Sequence, residues 1–368
     1  MSNKLNIAVI FGGRSGEHEV SLMSARSVLS VLNPEKFNVT QIGITHTGVW
    51  LTGKNVIEAF ESNALDHLTP VVLMPEPREA SLYLVKDDKL EALPKMDVFF
   101  PVLHGTFGED GTLQGLLELA DVAYVGCGVL SSSVGMDKNL FKDVMRCNNV
   151  PVVDSVLANR EEISASMEAV IEKIESAFPY PVFVKPANLG SSVGISKCSS
   201  RSDLLEGLMD AARYDRRVLV ERGVNAREIE VSVLGNEDPA ASVAGEIRPM
   251  DEFYTYEAKY IHDNSELIIP ARIDEPTMSS IRELAVRAFK AIDGAGMARV
   301  DFLLDRDTNE IYLNEVNTIP GFTKISMYPK LWAASGIPYP ELVDRLIDLA
   351  IRRKAERDNT TRIYRSDE

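Results

Sequence analysis

Between positions 299 and 322 the chain alternates. Val300, Phe302 and Leu304 interleave with Arg299, Asp301 and Leu303, the period of a strand. A polar run, Asp305 to Glu310, supplies a turn, and Ile311, Leu313, Glu315 and Asn317 then share one face of a second strand. A turn centred near Thr308 sets Asp301 opposite Glu315 and Arg299 opposite Asn317. The prediction is a β-hairpin with an arginine, two acids and an amide gathered on one surface. Another alternation stands upstream, where Ile229, Val231 and Val233 interleave with Glu228, Glu230 and Ser232.

The first third reads differently. Ile7–Phe11 is an apolar run that suits a buried strand, and Val20, Met23, Val28 and Val31 fall near one helical face after it. Val39–Ile44, Val98–Leu103 and Val122–Val125 read as further strands, so strands alternate with helices as in a doubly wound sheet. The more polar stretch from about Asn55 to Lys95 reads as an insertion or hairpin excursion. A second unit opens near Gly135. Asp137 is placed to cap a helix carrying Leu140, Phe141, Val144 and Met145, and Met167, Val170, Ile171, Ile174 and Phe178 mark another. Val182–Lys185 and Val218–Glu221 are short strands of this unit, and Gly223 is a candidate hinge. The chain closes on an amphipathic helix through Leu342, Leu346, Leu349 and Ala350.

Composition narrows the class. With 368 residues, two or three domains are expected, and 45% hydrophobic with 26% charged residues is ordinary for a globular protein. The 55 acidic against 39 basic residues give a net charge of -16, which argues against a nucleic-acid or anionic-membrane surface. The 3 cysteines, Cys127, Cys147 and Cys198, are scattered and suggest neither disulfides nor zinc. No signal-peptide pattern opens the chain and no apolar run is long enough for a membrane helix, so the cytoplasm is the expected compartment.

Four further segments bear on chemistry. In VKPANLGSSVG (184–194), Lys185 ends a strand and small residues follow, which suits backbone N–H groups approaching phosphate oxygens. The lysine precedes the loop, so this is no P-loop, and a plain strand-to-strand turn stays open. FGGRSGEHEVS (11–21) misses the dinucleotide fingerprint; Glu17 there either balances a helix dipole or captures an ammonium group. HGTFGEDG (104–111) puts His104 at the carboxyl end of a strand, where α/β ligand sites lie, with a structural role equally open. FYTYEAKY (253–260) sits in a long polar segment that reads as a lid or as an excursion anchored by aromatics.

Together GGRSGEHEVSL, HGTFGEDGTLQG, MDKNLFK, FVKPANLGSSVGISK, YEAKY, ARVDF and LNEVNTIPGFT resemble, in order, the signatures of the D-alanine–D-alanine ligases of the ATP-grasp superfamily. The resemblance implies an α/β ATP-grasp fold with an N-terminal Rossmann-like substrate domain (1–135) and two ATP-clasping α+β subdomains (136–223 and 224–368). It implies that Lys138, Lys185 and Ser192 contact ATP phosphates, Lys259 the transferred γ-phosphate, Glu221 the adenine and Glu228 the ribose, with Phe253 also binding the nucleotide. It implies that Asp301, Glu315 and Asn317 hold two Mg²⁺ or Mn²⁺, with Glu315 shared. Glu17 would bind the first D-alanine ammonium with His104 beside it. Ser191 and Tyr260 would hydrogen-bond with Glu17 and fasten the lid. Arg299 and the Gly321 N–H would stabilise an oxyanion, and Ser326 would hold the second carboxylate. The partners implied are D-alanine and ATP, with a homodimer as the assembly. A D-alanine–D-lactate ligase is the neighbouring alternative, disfavoured by Tyr260. A catalytically silent ATP-binding regulator is disfavoured by the retained Arg299, Asp301, Glu315 and Asn317, and a dehydrogenase by the missing fingerprint.

Overall fold

The structure is a computed structural model that describes residues 4–77, 81–190, 193–249 and 265–361. The first sheet comprises β1 (Leu5–Gly12), β2 (Phe37–Ile44), β3 (Trp50–Thr52), β4 (Thr69–Leu73), β5 (Leu82–Lys86), β6 (Lys89–Ala92) and β7 (Val98–Val102), in the order β6-β5-β4-β3-β2-β1-β7. Only β1 pairs in parallel, with β2 on one side and β7 on the other. The remaining pairings are antiparallel. The doubly wound expectation therefore describes three strands. The stretch from Asn55 to Lys95 is an antiparallel meander that widens the same sheet, together with the short helix Val56–Glu61.

Two further expectations need correction. Val122–Val125 forms no full strand but a single parallel bridge, Phe99 to Tyr124, bounded by the positive φ of Asp121 and Gly126. In α1 (His18–Val31), Met23 is 44% exposed, because the buried stripe runs through His18, Ser21, Leu22, Ala25 and Val28 and leaves position 23 off it.

Two sheets follow in sequence. β8 (Ser155–Asn159), β9 (Val182–Pro186), β10 (Ser196–Cys198) and β11 (Arg217–Arg222) form an antiparallel sheet in the order β10-β9-β11-β8. Helices Arg160–Ala177 and Arg201–Tyr214 cover it with Ile163, Ile171, Ile174, Leu204 and Leu208. The third sheet has β12 (Ala226–Gly235), β13 (Ala240–Pro249), β14 (Ser265–Ile268), β15 (Gly296–Asp305) and β16 (Ile311–Asn317), in the order β14-β13-β12-β15-β16. Its inner face, with Ile229, Val231, Val300 and Phe302, packs on Ile281, Ala285 and Phe289 of helix Glu275–Ala291. The outer face is apolar over β13 and β14, where Ile247 packs on Met327 and Leu331, and polar over β12, β15 and β16, where the site lies.

The C-terminal helix Tyr339–Asp358 does not stay with the third sheet. Its Leu342, Leu346 and Ile347 join Ile7, Val9, Val98 and Phe100 in the core of the first. Phe322, Tyr328 and Trp332 enter the same core, which fixes the segment after β16 against the N-terminal sheet.

Candidate active site

The β15–β16 register is the one that the alternation predicts: Asp301 pairs with Glu315 and Arg299 with Asn317. One detail differs. A bulge between these pairs and the Phe302–Leu313 pair adds a residue to β16. It shifts the side-chain parity, so Leu313 is buried in the core with Phe302 and does not share the face of Glu315 and Asn317. The outer edge of β16 there receives the preceding segment, with Leu313 N donating to Pro151 O at 2.8 Å.

On this face Arg299 forms a fork onto Asp301, Nε to Oδ1 at 2.8 Å and Nη2 to Oδ2 at 2.7 Å. Its Nε also lies 3.0 Å from Glu230 Oε2, on the neighbouring strand β12. Asn317 Nδ2 donates to Asp301 Oδ2 at 2.9 Å. Burial pulls the guanidinium pKa down, but Asp301 and Glu230 outweigh it and hold it well above the usual value. Glu228 lies two positions from Glu230 on β12, on the same face by strand alternation.

A second cluster faces this one from the second sheet. Lys185, at the end of β9, places Nζ 2.7 Å from Glu221 Oε2 on β11. The other oxygen, Oε1, is 2.9 Å from Lys142 Nζ, carried by the helix Lys138–Cys147. Lys142 is 1% exposed and also donates to Val153 O at 3.1 Å. Burial alone would raise the Glu221 carboxyl, yet Lys185 and Lys142 take it down to about 2. Burial lowers Lys142; for Lys185 it is outweighed by Glu221, with Glu315 and Glu228 adding to the rise. Those last influences tie the two sheets into one electrostatic site.

The helix holding Lys142 begins as the sequence predicts. Asp137 caps it by accepting from Leu140 N at 3.0 Å. The cap is held in turn by Asn188 Nδ2 at 2.9 Å and by Arg217. Lys138 Nζ donates to Leu189 O at 2.6 Å, so the helix start and the loop after β9 form one unit.

The third cluster lies at the carboxyl ends of β1 and β7. Ser15 Oγ donates to His104 O at 2.7 Å and accepts from Glu17 N at 2.9 Å. Gly105 has φ +72°, and a Cβ there would stand 2.3 Å from Glu17 Oε2; at Gly190 it would stand 3.0 Å away. The Glu17 carboxylate thus sits between the loop after β7 and the loop after β9, and a side chain at Gly105 would press on it harder than one at Gly190. His104 Nδ1 lies 3.2 Å from Ile319 O and 3.4 Å from Glu109 Oε1. A carbonyl only accepts, so Nδ1 bears the proton and Nε2 accepts from Ser24 Oγ at 2.9 Å. Ser24 Oγ in turn accepts from Phe322 N at 3.3 Å. Gly321 adjoins Ser326, whose Oγ accepts from Thr323 N at 3.0 Å.

The structure thus brings Glu17 and His104 together, then Lys138, Lys185 and Glu221, then Glu228, Arg299, Asp301, Glu315 and Asn317, with Gly321 and Ser326 on the connecting segment. Ser191, Ser192, Phe253, Lys259 and Tyr260 lie outside the described residues. Five residues the sequence left unassigned also take part: Lys142, Glu230, Glu109, Ser15 and Ser24. Glu230 was signalled by its place two residues from Glu228 in the same alternation. Lys142 stands four residues after Lys138 on one helical face, a weaker signal. Nothing local marks Glu109, Ser15 or Ser24.

Paired lysines at a glycine-containing loop, an acid-and-amide face with an arginine, and a carboxylate pocket beside them suit a nucleotide triphosphate, divalent cations and an amine. This arrangement, between two antiparallel sheets and beside a partly parallel one, defines a protein of the ATP-grasp class. The chain belongs to the D-alanine–D-alanine ligase family. The family models for the D-ala D-ala ligase N-terminus and C-terminus match residues 6–127 and 144–348. A D-alanine–D-alanine ligase of Heliobacterium modesticaldum is 51% identical, over 98% of this chain and 99% of that protein. One from Acetivibrio thermocellus is 50% identical, over 96% of this chain and 97% of that protein. Among solved structures, the D-alanine–D-alanine ligase of Coxiella burnetii superposes with a TM-score of 0.84 at 37% identity, over 97% of each chain. VanG D-Ala:D-Ser ligase of Enterococcus faecalis gives 0.85 at 38%, over 95% of this chain and 100% of that one.

Proposed function

We propose that the protein joins two D-alanine molecules to D-alanyl-D-alanine, with ATP converted to ADP and phosphate, for peptidoglycan precursors. The reading rests above all on the register that opposes Asp301 to Glu315 and Arg299 to Asn317 beside Lys185, in a chain about half identical to D-alanine–D-alanine ligases along its length.

A carboxylate resists attack by an amine until it is activated. In this reading the first D-alanine carboxylate takes the γ-phosphoryl group, and the second amine then displaces phosphate through a tetrahedral intermediate. Phosphoryl transfer asks for positioning and charge neutralisation rather than a protein nucleophile. Lys138 and Lys185, with Ser192, hold the phosphates, and Lys259 meets the γ-phosphate. Glu221 takes the adenine and Glu228 the ribose, with Phe253 also on the nucleotide. Glu17 receives the first ammonium. The chain of hydrogen bonds from His104 through Ser24 to Phe322 N steadies the segment that presents the Gly321 N–H and Ser326. Arg299 and that N–H face the developing oxyanion, and Ser326 takes the second carboxylate. Ser191 and Tyr260 close the lid and keep water from the acyl phosphate.

Asp301, Glu315 and Asn317 offer only hard oxygen donors on one face, which fits Mg²⁺ or Mn²⁺ and not a soft metal. They would hold two ions with Glu315 shared, and the ions would neutralise phosphate charge.

Among the described residues no helix is long and apolar enough to cross a membrane. A cytoplasmic homodimer is proposed on the family likeness, with units 1–135, 136–223 and 224–368. The likeness to a D-Ala:D-Ser ligase makes the acceptor the decisive variable. Purified protein with ATP and Mg²⁺ is given D-alanine alone, or with D-serine or D-lactate, and both ADP release and products are followed. Dominant D-alanyl-D-alanine is expected. Dominant D-alanyl-D-serine or ester product, or no D-alanine-dependent ADP release, overturns the assignment.

A further inference from the structure

One side-chain cluster is left unused by the ligation reading. His18 opens α1, one residue past Glu17, and His46 lies in the turn between β2 and β3. A nitrogen from each imidazole and a carboxylate oxygen of Glu19 lie within 4.8 Å of one another. The rings stack with centroids 3.8 Å apart, and His46 Nε2 is 3.7 Å from Glu19 Oε1.

The tautomer of His18 is already the one a ligand would need. The residue is 4% exposed, and its Nδ1 lies 2.8 Å from Gly13 O. A carbonyl can only accept, so Nδ1 bears the proton and Nε2 keeps its lone pair. A backbone carbonyl that fixes the tautomer of a histidine is the usual support of a metal-bound imidazole. The other two side chains are free to turn, since His46 and Glu19 are 67% and 70% exposed. The turn bearing His46 is itself held, with Val49 N donating to Thr45 Oγ1 at 3.0 Å and Gly48 N to Thr45 O at 2.9 Å. Two imidazoles and one carboxylate, with room for water, form a donor set for a d-block divalent cation. The set differs in kind from the all-oxygen face of Asp301, Glu315 and Asn317, and the net charge of -16 favours cation capture generally.

We propose that His18, Glu19 and His46 form a site for a divalent d-block cation of the zinc type, separate from the ligation centre. The ion clamps the first turn of α1 to the β2–β3 turn. His18 is the preformed ligand, and His46 and Glu19 swing in from solvent to complete the shell.

The test is a titration of the metal-free full-length protein with Co²⁺, followed by visible absorption and then displaced with Zn²⁺. Excess Mg²⁺ is present throughout to keep the hairpin carboxylates filled. The expected result is one equivalent bound, at least tenfold weaker in His46→Ala and weaker in Glu19→Gln, and unchanged in Asp301→Asn. Both weakened variants alter exposed side chains, so circular dichroism and thermal unfolding should match the parent. Absence of a stoichiometric equivalent in the parent overturns the site. So does equal affinity in His46→Ala, or loss of binding in Asp301→Asn, which would place the ion on the hairpin.

Discussion

Replacing Glu221 by Gln tests the electrostatic core of the site without changing its shape. The carboxylate is 4% exposed and each of its oxygens meets a lysine, Lys142 at 2.9 Å and Lys185 at 2.7 Å. Taking a carboxyl from its usual 4.5 down to about 2 corresponds to about 3 kcal/mol, at ~1.4 kcal/mol per tenfold. Breaking a buried pair by removing one partner costs about 3–5 kcal/mol, so two independent routes agree. With about 2.1 cal/mol/K of unfolding entropy per residue over 368 residues, 1 kcal/mol moves the melting temperature by roughly 1.3 °C, so it should fall by about 4 °C. The sign of the pH dependence is fixed by the depressed pKa. The contribution is whole above about 4.5 and is lost as pH falls toward about 2, so the gap between parent and variant narrows by about 1.4 kcal/mol per unit across that window. Thermal and denaturant unfolding at neutral pH and at several points below 4.5 measures both effects. A loss under about 1 kcal/mol, or a gap that does not narrow with acid, refutes the bridged arrangement.

Three further outcomes are expected. Gly105→Ala forces a Cβ to 2.3 Å from Glu17 Oε2 at φ +72°, so KM for D-alanine should rise at least ~10-fold, with about 1 kcal/mol of stability lost to the left-handed backbone; an unchanged KM removes Glu17 from the amine site. Glu315→Gln should lower kcat by more than the ~10–100-fold typical of outer-shell changes while leaving unfolding almost untouched, and a variant with most of the parent rate contradicts the shared-ligand role. If Tyr260 fastens the lid through one hydrogen bond of about 1 kcal/mol, Tyr260→Phe should raise uncoupled ATP hydrolysis roughly fivefold, read as ADP released in excess of dipeptide formed; unchanged coupling detaches Tyr260 from closure.

The sequence disclosed the hairpin register because two constraints agreed: alternation fixed the faces, and the six polar residues from Asp305 to Glu310 fixed the turn. It did not disclose the bulge beside Asp301, since Asn314 bears no glycine or proline to announce an extra residue. The loop after β9 and the cap at Asp137 were legible because both are local. Lys142 was not, because a lysine on an amphipathic helix ordinarily reaches solvent, and only packing against β11 turns it onto Glu221. The Ser24–His104–Ile319 contacts span the chain, and no local pattern encodes such a meeting. The same holds for the C-terminal helix: its apolar stripe was evident, but not that the N-terminal sheet would receive it.

The charges of the site are already spent on one another. Arg299 is held by Asp301 and Glu230, and Lys185 and Lys142 by Glu221. Across the described cluster Glu221, Glu228, Glu230, Asp301 and Glu315 outnumber Lys138, Lys142, Lys185 and Arg299. A nucleotide triphosphate would therefore meet no net positive field there, inside a protein whose overall charge is -16. Binding would then proceed by exchange, in which phosphate oxygens replace Glu221 as partners of the lysines and leave that carboxylate to the adenine. The Arg299–Asp301 fork has the same logic. As long as Asp301 is bound to Arg299, that guanidinium is held in place yet committed, and drawing Asp301 toward a cation would turn Arg299 toward a developing oxyanion. Such an order of events would link activation of the first carboxylate to readiness for the second amine through one side chain.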